Sequence, residues 1–406
     1  MRILVITPHY LPDGGPSAAL YTMLCEALAR RGHGVTVLSA VPHYPSGHVP
    51  PRYRGFRIRR NSERGVEVIR VPVPSMDRAN LALRMLQFGW YQIAMTLAGL
   101  PVPYDVVLSS NPALQVGLPF YVLSVLRRKP AIYSVHDVYP DAGVALGIFR
   151  QSAVIKTVAA LEGYCLRHAA RVRVLSGSFI SRMKAFGVPG EKLALIYDWV
   201  DTGLIKPLPR ETEFAREYSL RDRFVVLYAG NLGLSQGLGV VLTAAEMLAA
   251  QRDIHFVLVG EGANRLRLVD EAKRRKLANV SFIPFQPRER LAEVLATADV
   301  SLAILKQGLG FRSLPSKIFS IFASGRPLVA SLDEGSDSWE TIMRSKAGLC
   351  VLPENPKQLA EAILKLKQTP ELRRHMGEQG RAFALKYHSA DAAAQEFERL
   401  LEAAIP

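Results

Sequence analysis

The chain has 406 residues, enough for two or three domains with hydrophobic cores of their own, and 49% hydrophobic with 21% charged residues is ordinary for a folded protein. Its formal net charge of +15 is not ordinary and indicates an anionic partner: nucleic acid, an acidic membrane surface or a phosphorylated substrate. The three cysteines are far apart without a C-x-x-C pattern, which argues against a disulfide framework and a cysteine metal site and favours a reducing compartment.

The N-terminal segment alternates between strand and helix. Residues 2–7 form an apolar strand without the length or cleavage site of a signal peptide, so we expect a cytoplasmic protein. A loop with Gly14 and Gly15 leads into a helix at 18–30 and a strand at 35–40. This βαβ order predicts a parallel sheet that binds its ligand at the carboxyl ends of the strands. The glycine loop can donate N–H groups to a phosphate, but it is not a G-x-G-x-x-G fingerprint, and a plain tight turn explains it equally well.

The segment from residue 52 to residue 70 is strongly basic. It contains seven arginines, at 52, 54, 57, 59, 60, 64 and 70, against Glu63 and Glu67. Such a segment is often a solvated face. Aromatic residues are few and no nucleic-acid-binding motif occurs, so we rank an anionic membrane surface or a pyrophosphate above nucleic acid as the partner.

Residues 85–104 contain no charged side chain. Pro101 and Pro103 limit the helix to about sixteen residues, which is too short to span a bilayer. One interpretation is a buried core helix. The other is a helix whose Trp90 and Tyr91 insert into one leaflet beside the arginine-rich segment, as in a peripheral membrane protein.

The remaining elements repeat the strand and helix alternation in two series. Strands are predicted at 66–71, 106–109, 131–135 and 172–175, and residues 198–209 form a turn-rich linker. The second series has strands at 224–229, 255–259, 280–284, 300–304 and 328–331. The pattern predicts the α/β class with two doubly wound parallel-sheet (Rossmann-like) domains, at 1–200 and 201–385, facing each other across a cleft. Residues 386–406 are predicted as a C-terminal helix that packs back toward the first domain.

Glycine turns follow two strands of the second series. The loop 230–239 has four glycines and the amides Asn231 and Gln236, and the turn from Gly260 to Gly262 precedes Arg265. Together with the loop after the first strand, these turns exceed what packing alone requires. They favour a ligand that carries a phosphate.

Residues 309–327 run from a polar loop into an apolar helix. Ser316 is the expected N-cap, Lys317 lies in the first turn and Gly325 ends the helix. A helix N-terminus attracts phosphate, and Lys317 and Arg312 would add full charges to that seat. The alternative is an ordinary helix start with a solvated lysine.

His136 and Asp137 end the predicted strand at 131–135. A histidine at this edge is placed for catalysis or for hydrogen bonding to a substrate, although a lone histidine is often structural. We find no D-x-D pair, H-E-x-x-H motif or other metal-ligand cluster, so we expect no metal or other cofactor. Charge on a leaving group would then be stabilised by helix termini, Lys317 and Arg312.

The chain resembles the retaining family 4 glycosyltransferases of the GT-B fold, especially bacterial members that build surface or envelope polysaccharides. The resemblance covers nearly the whole chain and rests on PHYLPDGGPSAAL, RRGHGVTVLSAVPHYPSG, GVEVIRVPVP, SVHDVYPD, LIYDWVDTGLIKP, YAGNLGLSQGL, LVGEGANR and LPSKIFSIFASGRPLVAS. It implies metal-independent transfer of a hexose from a nucleotide-sugar, UDP being the commonest carrier, with retention at the anomeric carbon. The acceptor would be a lipid-linked sugar or a polysaccharide, held by the first domain, and the second domain would hold the nucleotide.

Position by position, the resemblance places Gly15 at the donor phosphate and His136 at the donor sugar. Asn231 and Gln236 fall where many members have an arginine and a lysine for the diphosphate, and Phe285 falls near the base. The other expected substrate-binding residues are Gly14, Asp137, Gly260, Glu261, Gly262, Arg265, Leu314, Pro315, Ser316 and Ser320. His136, Lys317 and Arg312 are the expected catalytic residues.

The sequence departs from the family at the paired glutamates, which fall on Arg312 and Ser320. Our hypothesis is an active enzyme with a rearranged donor site in which Lys317 is the main cation for the diphosphate. Two alternatives are a nucleotide-sugar epimerase of the same fold and a homologue that binds a nucleotide-sugar with weakened or lost catalysis.

Overall fold

A computed structural model describes residues 1–15, 17–44, 46–76, 81–141, 151–311 and 314–405. The chain divides into two compact units. Unit 1 comprises Met1–Asp198 and Ala390–Pro406, and unit 2 comprises Trp199–Ser389. The end of the chain therefore belongs to the same unit as its beginning.

The described strands of unit 1 form one sheet. They are β1 (Arg2–Ile6), β2 (Gly34–Ala40), β3 (Arg59–Glu63), β4 (Val66–Val71), β5 (Val106–Ser110), β6 (Ala131–Val135), β7 (Arg171–Val174) and β8 (Leu193–Leu195). Their order is β3-β4-β2-β1-β5-β6-β7-β8, and all pairs are parallel except β3 with β4. Because β1 lies between β2 and β5, the connections diverge there and leave a crevice at the carboxyl edge.

Helices cover the sheet of unit 1. They span Ala18–Arg30, Leu81–Gly99, Ala113–Phe120, Ser152–His168, Gly177–Ala185 and Ala390–Glu402, with a π-helical segment at Tyr121–Leu126. The helix Ala390–Glu402 buries Phe397 and Leu401. It also places Glu398 against His33, at 2.8 Å, and against Arg31. These contacts attach the last helix to the helix Ala18–Arg30 and the turn that follows it.

The described strands of unit 2 form a fully parallel sheet. They are β9 (Phe224–Ala229), β10 (Ile254–Val259), β11 (Val280–Ile283), β12 (Val300–Ile304), β13 (Leu328–Ser331) and β14 (Gly348–Val351), in the order β11-β10-β9-β12-β13-β14. The helices span Glu213–Glu217, Gly239–Met247, Arg265–Arg274, Leu291–Ala296, Lys317–Ala323, Asp337–Ser345, Pro356–Gln368 and Pro370–Tyr387. Apolar cores lie on both faces of this sheet, as expected for strands that are continuous apolar runs. The connections diverge between β9 and β12, so the loops after these two strands open a crevice.

Two parallel-sheet α/β units confirm the predicted fold class, with corrections of detail. The C-terminal helix predicted at 386–406 spans Ala390–Glu402 only, because a separate helix ends at Tyr387. The imidazole of His388, between them, stacks on Phe319 with ring centroids 3.7 Å apart. Strands β3, β8 and β14 were not predicted. The sequence of β3, RRNSE, has no apolar face because the strand is an exposed edge.

The apolar segment that begins near residue 85 lies in the helix Leu81–Gly99, which is half buried. Tyr91 and Met95 are buried in the core of unit 1, whereas 45% of Trp90 is exposed. The prediction that Tyr91 inserts into a bilayer is therefore wrong, and the core-helix interpretation holds for one face. Among the described helices, none has the length and apolar character needed to cross a membrane.

Candidate functional site

Unit 2 contains a cavity of about 440 Å³ at the carboxyl edge of its sheet. The loops after β9, β10 and β11 form its walls together with the first turn of the helix Lys317–Ala323. Predicted site residues that line it are Asn231, Gln236, Gly260, Phe285, Pro315, Ser316, Lys317 and Ser320. Among the described lining residues, Lys317 alone carries a charge, so the cavity suits an anionic ligand.

The ammonium group of Lys317 is buried and has no hydrogen-bond partner among the described residues. Its Nζ lies 3.7 Å from the centroid of the Tyr228 ring, a cation–π contact. Burial lowers the pKa of Lys317 to about 7. A buried, unpaired cation is costly, so this arrangement favours the arrival of an anion that would restore the full charge.

Two further buried polar atoms in the cavity wall lack a hydrogen-bond partner in the described part of the chain. They are Oε1 of Gln236 and Oγ of Ser301. Buried polar atoms in native structures are almost always hydrogen-bonded, and clusters of exceptions indicate a site for a polar ligand or water. The sequence predicted Gln236 but neither Ser301 nor Tyr228, since both lie within apolar strands.

The glycines of the two loops are explained by close backbone packing. Gly260 has φ +141°, and a Cβ on it would lie 2.0 Å from the carbonyl oxygen of Gly230. The N–H of Gly230 donates to Val259 at 2.9 Å, and that of Gly260 donates to Ile283 at 3.0 Å. These glycines therefore bring the loops together, and their own N–H groups are engaged within the unit.

Several predicted residues lie elsewhere. Glu261, Gly262, Arg265 and Leu314 are not among the described residues that line the cavity. Glu261 and Arg265 approach each other at 3.5 Å. Ser316 precedes the helix Lys317–Ala323 as expected, but its side chain makes no capping hydrogen bond. Arg312 lies outside the described residues.

His136 follows β6 at the carboxyl edge of unit 1. Its backbone N–H donates to Oδ1 of Asn111 at 2.9 Å, and Asn111 also donates to the carbonyl of Asp137. Its ring Nε2 lies 3.1 Å from the hydroxyl of Tyr21, and its Nδ1 lies 3.6 Å from Asp198. The structure thus fixes both ring nitrogens, while Asp137 is exposed.

The buried guanidinium of Arg173 completes this network. Its Nη2 donates to Oδ1 of Asp198 at 2.7 Å, and its Nη1 lies 3.4 Å from Nδ1 of His136. Burial alone would raise the pKa of Asp198, but Arg173 and His136 outweigh it and hold that pKa well below its usual range. The ion pair therefore orients His136. Arg173 was not predicted, because its strand β7, RVRV, alternates arginine with valine, and this pattern indicates that the arginines face solvent.

A second cluster joins the loops after β1 and β2. Ligand-type atoms of His9, Asp13 and His43 lie within 4.8 Å of one another, and all three side chains are buried. Asp13 accepts hydrogen bonds from Nδ1 of His9 (3.3 Å) and from the backbone N–H groups of Gly15 (2.9 Å) and His43 (3.2 Å). The carboxylate is thus satisfied within unit 1, and the N–H of Gly15, which was predicted to face a phosphate, already has an acceptor.

The cluster of His9, Asp13 and His43 is relevant to the prediction that the protein binds no metal, because these residue types are common metal ligands. Nδ1 of His43 donates to the carbonyl of Val41 at 2.9 Å, which places its proton. Burial would raise the pKa of Asp13, but His9 and His43 outweigh it and lower that pKa. The group has the composition of a metal site, yet its contacts are those of a link between two loops. The sequence signal was the repeated Pro-His-Tyr after two adjacent strands.

Two family models match the chain. The model "Glycosyl transferase 4-like domain" matches residues 14–199, and the model "Glycosyl transferases group 1" matches residues 209–383. Each match falls almost wholly on one of the two units.

Curated relatives are similar over most of their length. A candidate colanic acid biosynthesis glycosyl transferase of Escherichia coli K12, WcaI, is 26% identical, over 91% of this chain and 93% of its own. The MMP alpha-(1->4)-mannosyltransferase of Mycolicibacterium hassiacum is 25% identical, over 100% of this chain and 98% of its own.

Solved structures share the fold. Anabaena HepE in complex with UDP superposes with a TM-score of 0.71 at 16% identity, over 99% of this chain and 100% of that chain. WaaG, a glycosyltransferase involved in lipopolysaccharide biosynthesis, superposes with a TM-score of 0.65 at 17% identity, over 98% of each chain.

Proposed function

The chain belongs to the group 1 glycosyltransferases of the GT-B fold, and on this premise we propose that it moves a hexose from a UDP-sugar to a lipid-linked or polysaccharide acceptor with retention of configuration. The observation that carries the proposal is the cavity of unit 2, in which Lys317 is the one charged side chain among the described lining residues. HepE was crystallised with UDP and with UDP-glucose, which supports a nucleotide-sugar as the donor.

In the proposed reaction, the donor diphosphate occupies the cavity and pairs with Lys317. The bond between the anomeric carbon and the phosphate oxygen breaks, and the acceptor oxygen forms its bond to that carbon on the same face. The departing phosphate oxygen takes the acceptor's proton, so no protein nucleophile is needed. The protein positions the reactants and stabilises the charge that develops on the diphosphate.

The proposed donor site differs from that of many relatives in its charges. The amides Asn231 and Gln236 stand where the resemblance expects cations, so Lys317 becomes the main cation for the diphosphate. Ser320 lines the cavity where a glutamate is expected. Phe285, 70% exposed at the cavity wall, is available to stack on the base. We propose that the reaction needs no metal ion.

The first test is calorimetric titration of the protein with UDP, GDP and ADP, without metal and then with Mg²⁺. We expect UDP to bind without metal, and GDP and ADP not to bind. Preference for another nucleotide would contradict the UDP assignment. Binding that requires Mg²⁺, or no binding, would contradict the metal-independent site around Lys317.

A second candidate, a binding-only homologue, is favoured by the loss of both family glutamates at Arg312 and Ser320. It predicts UDP binding without turnover. Incubation with UDP-hexoses and detection of released UDP, with and without lipid-linked sugar acceptors, separates the two functions. UDP release that increases with an acceptor supports the transferase.

A further inference from the structure

One face of the helix Leu81–Gly99 is apolar and exposed. Its members recur at alternating spacings of four and three residues, and Leu100 directly after the helix continues the pattern; the five are 39% to 62% exposed: Leu86, Trp90, Ile93, Leu97 and Leu100. We call these five residues the apolar stripe. The stripe extends over about 21 Å, since a helix rises about 1.5 Å per residue. Single exposed apolar residues are normal, whereas a continuous stripe marks an interaction surface.

The arginine-rich segment meets the apolar stripe through Phe56. The ring of Phe56, which is 81% exposed, is 6.0 Å from that of Trp90 between centroids. Four exposed arginines lie within four residues of Phe56 in the sequence: Arg52, Arg54, Arg57 and Arg60. The sequence contains no acidic residue between Glu26 and Glu63, so positive charge prevails in the stretch that holds these arginines.

Fewer arginines of the segment 52–70 are available to an external partner than the sequence indicates. Arg70 is buried and pairs with Glu63 at 2.6 Å, and Arg64 pairs with Glu26 at 3.3 Å. Their charges are therefore used within unit 1. The remaining positive charge lies close to Phe56.

A second basic group lies at the end of the apolar stripe. Nη2 of Arg127 donates to the carbonyl of Leu100 at 2.7 Å, and Arg128 is also exposed. Leu126, immediately before them, is 58% exposed. Cations thus accompany the apolar stripe at Leu100 as well as near Phe56.

We propose that the apolar stripe, Phe56 and these arginines form a docking surface for an anionic lipid bilayer. A helix that is apolar on its exposed face and flanked by cations lies flat in the headgroup region, where acidic lipids neutralise the cations. A two-fold contact with a second copy would instead place the same arginines against each other, which is unfavourable. The surface is separate from the Lys317 cavity, so its failure would leave the proposed donor chemistry untouched.

The test is flotation with vesicles of phosphatidylcholine alone or mixed with phosphatidylglycerol. We expect the protein to bind the mixed vesicles, less as salt rises, and the pure vesicles much less. The double variant Ile93→Glu/Leu97→Glu should weaken partition at least about tenfold, and so should Arg57→Glu/Arg60→Glu. The matched controls are Leu266→Glu, at a 75% exposed leucine of unit 2, and Arg221→Glu/Arg252→Glu, at exposed arginines. Unchanged melting curves would show that each variant folds.

Trp90 is the exposed tryptophan of the proposed surface: of the other two tryptophans, Trp199 is only 4% exposed, and Trp339 is half-buried in unit 2. Brominated lipids should quench the fluorescence of the wild type. The variant Trp90→Phe, which stays apolar, should keep vesicle binding and lose that quenching. Equal binding to neutral and acidic vesicles, or no loss in the two double variants, would overturn the proposal. A dimer seen by light scattering would also overturn it, if the double variant Ile93→Glu/Leu97→Glu dissociated that dimer and left vesicle binding unchanged.

Discussion

The carboxyl edges of the two sheets hold their charged groups in opposite ways. In unit 1, His136, Asp198 and Arg173 contact one another, and Asp13 is held by His9 and two backbone N–H groups. In unit 2, the buried ammonium of Lys317 has no hydrogen-bond partner among the described residues. A saturated network positions its members, whereas an unsaturated buried charge marks where a ligand of opposite charge belongs.

The largest effect that tests this contrast is expected from Lys317→Met. If Lys317 is the diphosphate cation, donor turnover should fall by about 100-fold or more, as when a charge-stabilising donor is removed from other active sites. The melting temperature should rise, because an apolar side chain replaces a buried, unpaired cation. UDP release and thermal melting measure the two quantities.

The control is Lys273→Met, at an exposed lysine on the helix Arg265–Arg274. It should change neither quantity. Unchanged turnover in Lys317→Met would refute the assigned role, and a large loss of stability would indicate that Lys317 is structural.

Asp198→Asn tests the saturated network of unit 1. It leaves the buried guanidinium of Arg173 without its carboxylate, so the free energy of unfolding should fall by about 3 kcal/mol. Because the pKa of Asp198 is depressed in the folded state, its stabilisation is present above the unfolded pKa of about 3.9 and is lost as the pH falls below it.

Urea unfolding at pH 7 and at pH 3 checks both points. The difference between the wild type and Asp198→Asn should shrink at the lower pH. Asp222→Asn, at an exposed aspartate, is the control and should show no difference at either pH. A difference that is independent of pH would contradict the role of the carboxylate charge.

Gly260→Ala tests whether the two glycine loops of unit 2 are held by close packing. The added Cβ would meet the carbonyl of Gly230, and φ +141° disfavours any side chain, so unit 2 should lose about 2 kcal/mol of stability. UDP affinity should fall as the cavity wall shifts. Gly239→Ala is matched in chemistry, but its Cβ would meet no atom within 4 Å, and it should be neutral. Similar behaviour of both variants in urea unfolding would contradict this account.

The sequence predicted the architecture better than the site. A long apolar run can be recognised in the sequence without knowing which elements pack against it, so β1, β9 and the helix that begins at Lys317 were all predicted. The exposed edge strand β3 lacks such a run. Its pairing with β4, and the ion pair of the buried Arg70 with Glu63, depend on tertiary contacts that no local pattern encodes.

The same distinction explains the partial prediction of the site. Lys317 was found because it follows a polar loop at a helix start. Tyr228 and Ser301 lie in apolar strands, where the sequence suggests only core positions. His9, Asp13 and His43 come together because β1 pairs with β2. The Pro-His-Tyr motif shared by His9 and His43 was visible, but its meaning depended on that pairing.

The smallest expected effect is the pH dependence of UDP binding. Burial lowers the pKa of Lys317 to about 7, and a bound diphosphate should raise it. Above pH 7 the free protein loses this proton, so binding must recover it, and UDP affinity should fall by up to about tenfold per pH unit. Phosphate groups ionise near pH 6, so the range from 7.5 to 9 isolates the lysine.

Calorimetry at pH 8 in buffers of different ionisation enthalpy should show proton uptake on UDP binding by the wild type. Lys317→Arg keeps a charge that cannot be removed in this range, so it should bind UDP without proton uptake. The stability of the unliganded protein gives an independent check, because it should change with pH in the opposite direction to UDP affinity. A lysine whose pKa is lowered by folding binds fewer protons in the folded state, so the unliganded wild type should become more stable between pH 7 and 10, unlike Lys317→Met. If proton uptake on UDP binding persisted in Lys317→Arg, the group that titrates would not be Lys317. The contrast between the saturated network at the edge of unit 1 and the unpaired lysine at the edge of unit 2 would then lose its support.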